Sequence, residues 1–174
     1  MQPSYSFNEE RPEDGDEVEY LFDLAFAPGR RSLSSYRLRE GAPPVQSLSL
    51  VARDEIGVLA AAIRYWPVRI GAAGAPALLL GPVAVHPTRQ GEGLGAVLIG
   101  DTLAAAKRDG WRRAVLVGDE PYYGRFGFSR DAAAAIDFPP PTSRDRILGR
   151  ALVDGGFDGV EGVARPWDGP LQTH

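Results

Sequence analysis

Residues 78–110, LLLGPVAVHPTRQGEGLGAVLIGDTLAAAKRDG, constrain this chain more than any other stretch. They open on an apolar run, Leu78, Leu79, Leu80, Val83, Ala84 and Val85, with the length and composition of a buried strand. His86-Pro87 ends the run, because proline brings no ladder donor and holds the residue before it extended. Gln90-Gly91-Glu92-Gly93-Leu94-Gly95 then sets three glycines alternately with larger residues. From Leu94 the apolar residues recur at helical spacing, with Leu94, Leu98, Thr102 and Ala105 on one line and Ile99, Leu103 and Ala106 beside it. Lys107 and Arg108 suit the negative end of a helix dipole, and Gly110 suits the position just past a helix end. The predicted order is strand, glycine-rich turn, helix. Such a turn aims unpaired backbone N–H groups, and the positive end of the helix dipole, at one point in space. That is an anion site, most usefully for phosphate.

The rest of the chain narrows what the anion belongs to. At 174 residues, 44% hydrophobic and 24% charged, it has the size and composition of one ordinary globular domain with a sizeable core. Its net charge is −4, and its densest charge run is acidic: Glu9, Glu10, Glu13, Asp14, Asp16, Glu17 and Glu19. A nucleic-acid binder would carry a basic face, and none is visible, so no nucleic-acid partner is expected. The absence of cysteine excludes disulfides, thiolate metal sites and a cysteine nucleophile, and it fits a reducing compartment. With only His86 and His174 as imidazoles, no metal site is expected either. Residues 1–10 lack the basic start and apolar stretch of a signal peptide. Residues 70–88 carry no charged side chain over nearly a membrane span's length, but Gly71, Gly74, Pro76, Gly81, Pro82 and Pro87 interrupt them. A loop followed by a strand is the expectation there, in a soluble, cytoplasmic protein without a membrane partner.

In chain order, residues 3–8 alternate as a short first strand. Residues 12–27 read as a helix with acids near its start, an apolar stripe of Val18, Leu21, Phe22, Ala25 and Phe26, and a stop at Pro28-Gly29. Residues 30–40 suggest a second short helix, and 41–44 a loop. Residues 47–53 alternate as a half-buried strand, residues 54–57 turn, and residues 58–68 return as a longer strand, an antiparallel hairpin. Residues 70–76 are expected to be a loop. After the organising strand and helix, residues 112–117 form the next buried strand, parallel to the first through a right-handed crossover. Residues 119–128 are dense in aromatics, Pro139-Pro140-Pro141 is a stiff loop, residues 146–153 read as the last strand, and the tail is glycine-rich and turn-like. The order β-α-α-β-β-β-α-β, then short elements, is a mixed α/β single domain.

Two frames fit the glycines. Gly91-Glu92-Gly93-Leu94-Gly95-Ala96 satisfies G-x-G-x-x-[GA], the dinucleotide fingerprint, and Asp119 stands 23 residues past Ala96, close to the roughly 20 expected of a ribose-binding acid. Against that frame, residues 86–90 separate the strand from Gly91, too little chain follows for a second nucleotide-binding half, and the preceding strands form hairpins. The other frame is Gln90-x-x-Gly93-x-Gly95, preceded by Val83-x-Val85-x-Pro87. It resembles the acyl-CoA signature [QR]-x-x-G-x-[GA] of the GNAT family of N-acetyltransferases. Its context resembles the family too, with a Val-x-Val strand before it and Tyr123-x-x-x-Gly127-Phe128 after the next strand, as in a subgroup of small bacterial members. The resemblance spans roughly residues 45–153.

The resemblance implies an α/β fold (mixed, α+β-like): one GNAT-type domain over residues 1–174, its central mixed sheet splayed between two parallel strands, with helices on both faces. It implies acetyl-CoA as co-substrate and an amine, on a small molecule or a protein, as acceptor. Backbone amides of residues 90–95 suit the pyrophosphate, with glycines letting phosphates approach closely. The pantetheine arm would pair with the backbone of Val83, Ala84 and Val85, so the cofactor-binding set is Val83, Ala84, Val85, Gln90, Gly91, Glu92, Gly93, Leu94, Gly95 and Ala96. Tyr123 occupies the position of the family's tyrosine, and a phenol of pKa near 10 is protonated at neutral pH yet able to protonate a leaving thiolate. Tyr122, Phe126 and Phe128 read as packing. For the general base the sequence offers His86, Asp119 and Glu120 without choosing, and Arg89, Arg125 and Arg130 for the adenosine 3′-phosphate. A non-catalytic acyl-CoA sensor and a nicotinamide-binding protein remain as alternatives, and family habit suggests a homodimer.

Overall fold

A computed structural model describes residues 4–26 and 34–170. One sheet runs through it in the order β1 (Ser6–Glu9), β2 (Leu50–Arg53), β3 (Leu59–Ile70), β4 (Ala75–Val85), β5 (Arg113–Val117) and β7 (Ile147–Ala151). Every neighbouring pair on that path is antiparallel except β4 and β5, which are parallel because α3 (Leu94–Arg108) carries the chain back between them. Two short strands, β6 (Ile136–Asp137) and β8 (Gly162–Pro166), complete it, with β8 pairing both β6 and the end of β3.

Strand alternation divides the core between two faces. Ala61, Ile63, Tyr65, Leu78 and Leu80 face α3, which buries Leu94, Leu98, Ile99, Leu103 and Ala106 against them. Tyr65 and Thr102 satisfy each other's buried hydroxyls at 2.8 Å. Ala62 and Ala84, on the other face, meet Val18, Leu21 and Phe22 of α1 (Gly15–Ala25). Helices therefore cover both faces, as expected.

Several boundaries differ from the sequence reading. The helix expected over 12–27 begins as a 3-10 turn at Pro12–Asp14, and its expected end at residue 27 lies outside the described residues. Of the second helix, α2 spans Ser34–Arg37, and residues 30–33 also lie outside them. Residues 46–48 form a 3-10 turn instead of a strand, since Leu48 is buried and the Ser49 hydroxyl donates back to Val45 O at 2.9 Å. The loop expected over 70–76 shrinks to a tight turn. Ile70 pairs directly with Ala75, and Gly71 and Gly74 supply the positive φ that the turn needs. The glycine-rich tail holds β8, a five-residue strand whose sequence carries no strand pattern of its own and which pairs with the end of β3.

The expected splay is present. β4 pairs with β5 only at Leu78↔Ala114 and Leu79↔Val115, although both strands continue. Beyond that point β4 carries a bulge: Tyr65 opposes Leu80 while Ile63 opposes Val83, leaving Gly81 and Pro82 as the extra length. Gly81, at φ +112, takes the conformation this bend demands.

Candidate active site

The turn before α3 is assembled locally. His86 Nδ1 accepts from Thr88 N at 3.2 Å and lies 2.8 Å from the Thr88 hydroxyl, capping a 3-10 turn over Pro87–Arg89. Gly91 and Gly93 follow at φ +89 and +79, and Gly93 caps the helix in the left-handed conformation. Val97 N–H donates to Gly93 O at 3.1 Å. Among the described residues, none accepts a hydrogen bond from the backbone N–H of residues 91–96. A Cβ added at Gly91 or Gly93 would meet no described residue within 4 Å. The electrostatic result is a concave anion cradle at a helix start.

Glu92 is held aside from it. Tyr5 Oη donates to Glu92 Oε2 at 2.6 Å and accepts from Arg89 Nη1 at 3.2 Å, and Arg89 Nη2 reaches Asp54 Oδ2 at 2.5 Å. Asp54 in turn accepts from Val58 N at 2.9 Å and Ile56 N at 3.0 Å, which with Arg89 hold its carboxyl below the usual range. The bond to Glu92 pushes the Tyr5 phenol above its ordinary value. This chain of polar contacts ties the loop to β1 and to the β2–β3 turn.

The cradle opens into a cleft of about 580 Å³ lined by Val83, Ala84, Val85, Gln90, Gly91, Gly93, Leu94, Gly95 and Ala96, with Phe26, Arg89, Tyr122 and Arg125 at its edges. Every cofactor-binding position named from the sequence except Glu92 lies on it. The backbone of β4 is not used uniformly. His86 N–H donates to Ala60 O at 2.7 Å, and the register sets Ala84 opposite Ala62 and Val85 opposite Ala61. Antiparallel alternation therefore turns the N–H and C=O of Ala84 toward β3, leaving those of Val83 and Val85 aimed into the splay. The free edge thus belongs to the two valines and not to Ala84.

A second cavity, of about 340 Å³, meets the cleft at Phe26 and Val83 and continues past Tyr36, Arg39, Gly81, Pro82, Tyr123 and Arg146. Tyr123 comes from α4 (Glu120–Tyr123) and packs edge-on against Tyr122 and Phe128, at centroid distances of 4.8 and 6.2 Å. Burial pushes its phenol up to about 12. Gly118 makes room for the ring, since a Cβ there would stand 2.5 Å from Tyr123 Cε2. The proposed bases lie elsewhere. His86 caps its own turn, Asp119 pairs with Arg146 at 3.4 Å, and Glu120 accepts from Arg130 N at 2.8 Å beside a separate cavity. Among the described residues that line the Tyr123 cavity, none is a carboxylate or a histidine. Of the arginines considered for a phosphate, Arg89 and Arg125 edge the cleft, Arg125 lying 4.6 Å from the Tyr122 ring, while Arg130 pairs with Asp145 away from it. His174 lies outside the described residues.

Phe26, Tyr36, Arg39, Arg146, Gly118 and Tyr5 were not among the site residues expected from the sequence. Gly118, placed between a strand and an aromatic segment, was the one with a readable signal. Chemically, the cleft fits a diphosphate at the helix start with an extended chain along the valine edge, and the cavity beyond it offers a phenol. Among the described residues, no group of acids and histidines could hold a metal ion, and no helix is long and apolar enough to cross a membrane.

Known proteins share this fold. The chain is 26% identical over 154 residues to the uncharacterized N-acetyltransferase YhbS of Escherichia coli K12, covering 88% of this chain and 91% of that one. The crystal structure of E. coli YhbS in complex with CoA superposes with a TM-score of 0.82 at 23% identity, over 96% and 92% of the two chains. A GNAT family acetyltransferase from Brucella melitensis, in complex with acetyl-CoA, matches at a TM-score of 0.68 and 30% identity, over 94% and 96%. Residues 4–130 match the acetyltransferase (GNAT) domain, and the chain belongs to the GNAT family of acetyltransferases.

Proposed function

We propose that this chain, acting as one catalytic unit, is an acetyl-CoA-dependent N-acetyltransferase that passes an acetyl group directly to an amine. The observation that carries this reading is the set of N–H groups over residues 91–96 that no described residue engages, opening onto the edge of β4. Those amides hold the diphosphate, and Glu92, tied to Tyr5, keeps its carboxylate from competing for them. Bound acetyl-CoA supplies an activated acyl group, as in the Brucella relative crystallised with it. The N–H groups of Val83 and Val85 are the donors available to the acetyl carbonyl oxygen as it gains negative charge. The amine forms the new C–N bond as the C–S bond breaks. Tyr123 gives its phenolic proton to the departing sulfur, and water removes the amine's surplus proton, since among the described residues no carboxylate or histidine lines the cavity.

The test is amine-dependent thiol release from acetyl-CoA, read with a thiol reagent across a broad panel, beside thermal shifts with acetyl-CoA and with NADH. Thiol release, with acetyl-CoA alone raising the melting temperature, is the expected result. Binding without release from any amine would instead mark a sensor, and stabilisation by NADH alone would overturn the assignment of ligand.

A further inference from the structure

The cavity beyond Val83 is charged against the grain of the molecule. The chain as a whole carries −4, yet among the described residues the ionisable side chains lining this cavity are two phenols, Tyr36 and Tyr123, and two guanidinium groups, Arg39 and Arg146. The Arg39 guanidinium carbon lies 3.8 Å from the Tyr36 ring centroid, a cation–π contact at the cavity wall. Arg146 is half-exposed, and its contact to Asp119 at 3.4 Å joins two exposed partners, a pair that an incoming anion displaces at little cost. The rest of the wall is apolar: Phe26, Leu79, Leu80, Pro82, Val83 and Val117.

We infer that the acceptor is a small primary amine on a mainly apolar body that also carries an anionic group, carboxylate or phosphate, held by Arg39 and Arg146. This rests on the acetyl-transfer reading and names its substrate class. A guanidinium offers such a group two parallel donors and satisfies it on leaving water, which an uncharged wall could not do. The same charges disfavour acceptors with a second ammonium group. They also favour the neutral form of the attacking amine, supplying part of what a general base otherwise provides. The volume, about 340 Å³, is at the low end of small-molecule sites and suits a small acceptor.

The experiment compares kcat/KM for matched acceptors: an apolar α-amino acid and its carboxamide, an amino-phosphate ester and its parent amino alcohol, and a diamine of the same length. Expected is a preference of at least about 10-fold for the anionic member of a pair, the scale on which a site built to bind a polar group rejects its absence. The carboxamide's amine is less basic and more available at neutral pH, so this preference runs against intrinsic reactivity. Which pair shows it separates carboxylate from phosphate. Arg146→Gln, at an exposed position, should raise KM about 10-fold for the anionic acceptor only and leave kcat and acetyl-CoA affinity in place. Arg39→Gln should act likewise and more strongly, and Arg146→Gln decides alone if that variant fails to fold. Acceptor charge without effect, or KM raised equally for every acceptor, would overturn the inference while amine-dependent thiol release still upheld acetyl transfer. No release from any amine would overturn both.

Discussion

The cleft at the start of α3 and the cavity around Tyr123 share Phe26 and Val83 but are built by opposite means. The cleft is main chain: amides of consecutive residues, glycines with positive φ, and a strand edge left free by a bulge. The cavity is side chain, gathered from the residue after α1, from α2 and the segment after it, the bulge of β4, the end of β5, α4 and the turn before β7. A backbone site tolerates most substitutions and fails mainly where bulk or charge enters, whereas a side-chain site changes its ligand with one residue. The difference teaches how one co-substrate can be kept while acceptors diverge.

The largest effect should come from putting charge into the backbone site. Gly93→Asp points a carboxylate into open space beside the amides and should weaken acetyl-CoA binding by about 100-fold or more, since like charges in a site cost several kcal/mol. Gly93→Ala, which strains φ without adding charge, is the control by calorimetry. Equal losses in both variants would show that loop shape, and not phosphate charge, governs the cleft.

Next comes Tyr123→Phe, expected to lower kcat about 100-fold, the lower range for a positioned acid, with acetyl-CoA affinity retained. An unchanged kcat in single-turnover measurement would remove Tyr123 from that role. The phenol, raised from 10.0 to about 12 by burial, keeps its proton through neutral pH, so activity should not fall through its ionisation at pH 10. Stability carries the opposite sign. The unfolded chain releases this proton near pH 10 and the native one holds it to about 12, so stability drops as pH rises across that window. Urea midpoints at pH 9 and 11 should show the drop, reduced in Tyr123→Phe.

Gly118→Ala is smaller and sharper. Its Cβ would collide with Tyr123 Cε2, displacing the ring, and kcat should fall about 10-fold, as misplacement of a reacting group does, while acetyl-CoA still binds. Loss of binding as well would mean that the two regions are mechanically one.

The smallest effect tests what holds the cleft's own acid aside. Tyr5→Phe frees Glu92 toward the amides and should weaken acetyl-CoA about 3-fold, the scale of an exposed charge contact, with Tyr5→Phe plus Glu92→Gln restoring it. Without that rescue, Tyr5 acts through packing rather than through Glu92.

The two regions also differ in how far they could be read in advance. Gln90, Gly91, Gly93, Gly95 and the Val83-x-Val85 strand are contiguous, and their chemistry is local: a helix start frees amides wherever it occurs. The fold order was legible for the same reason, since α1, α3, β3 and β5 each show their own period. The strand β8, the tight turn at residues 71–74 and the 3-10 turn at 46–48 were not legible, because pairing partners far away in sequence decide them. Arg39 and Arg146 carry no local signal, since only the fold brings them to one cavity, while Asp119 and Glu120 engage Arg146 and the Arg130 N–H.

By itself, then, the sequence determined a strand–turn–helix anion site, a mixed sheet and the family signature, because periodicity, glycine and proline act over a few residues. Tertiary structure alone decided that Val83 and Val85, not Ala84, present the free edge, that Glu92 is held by Tyr5, and that two arginines share the cavity of Tyr123. Those outcomes depend on strand register and on side chains brought together across the chain, neither of which any short stretch of residues encodes.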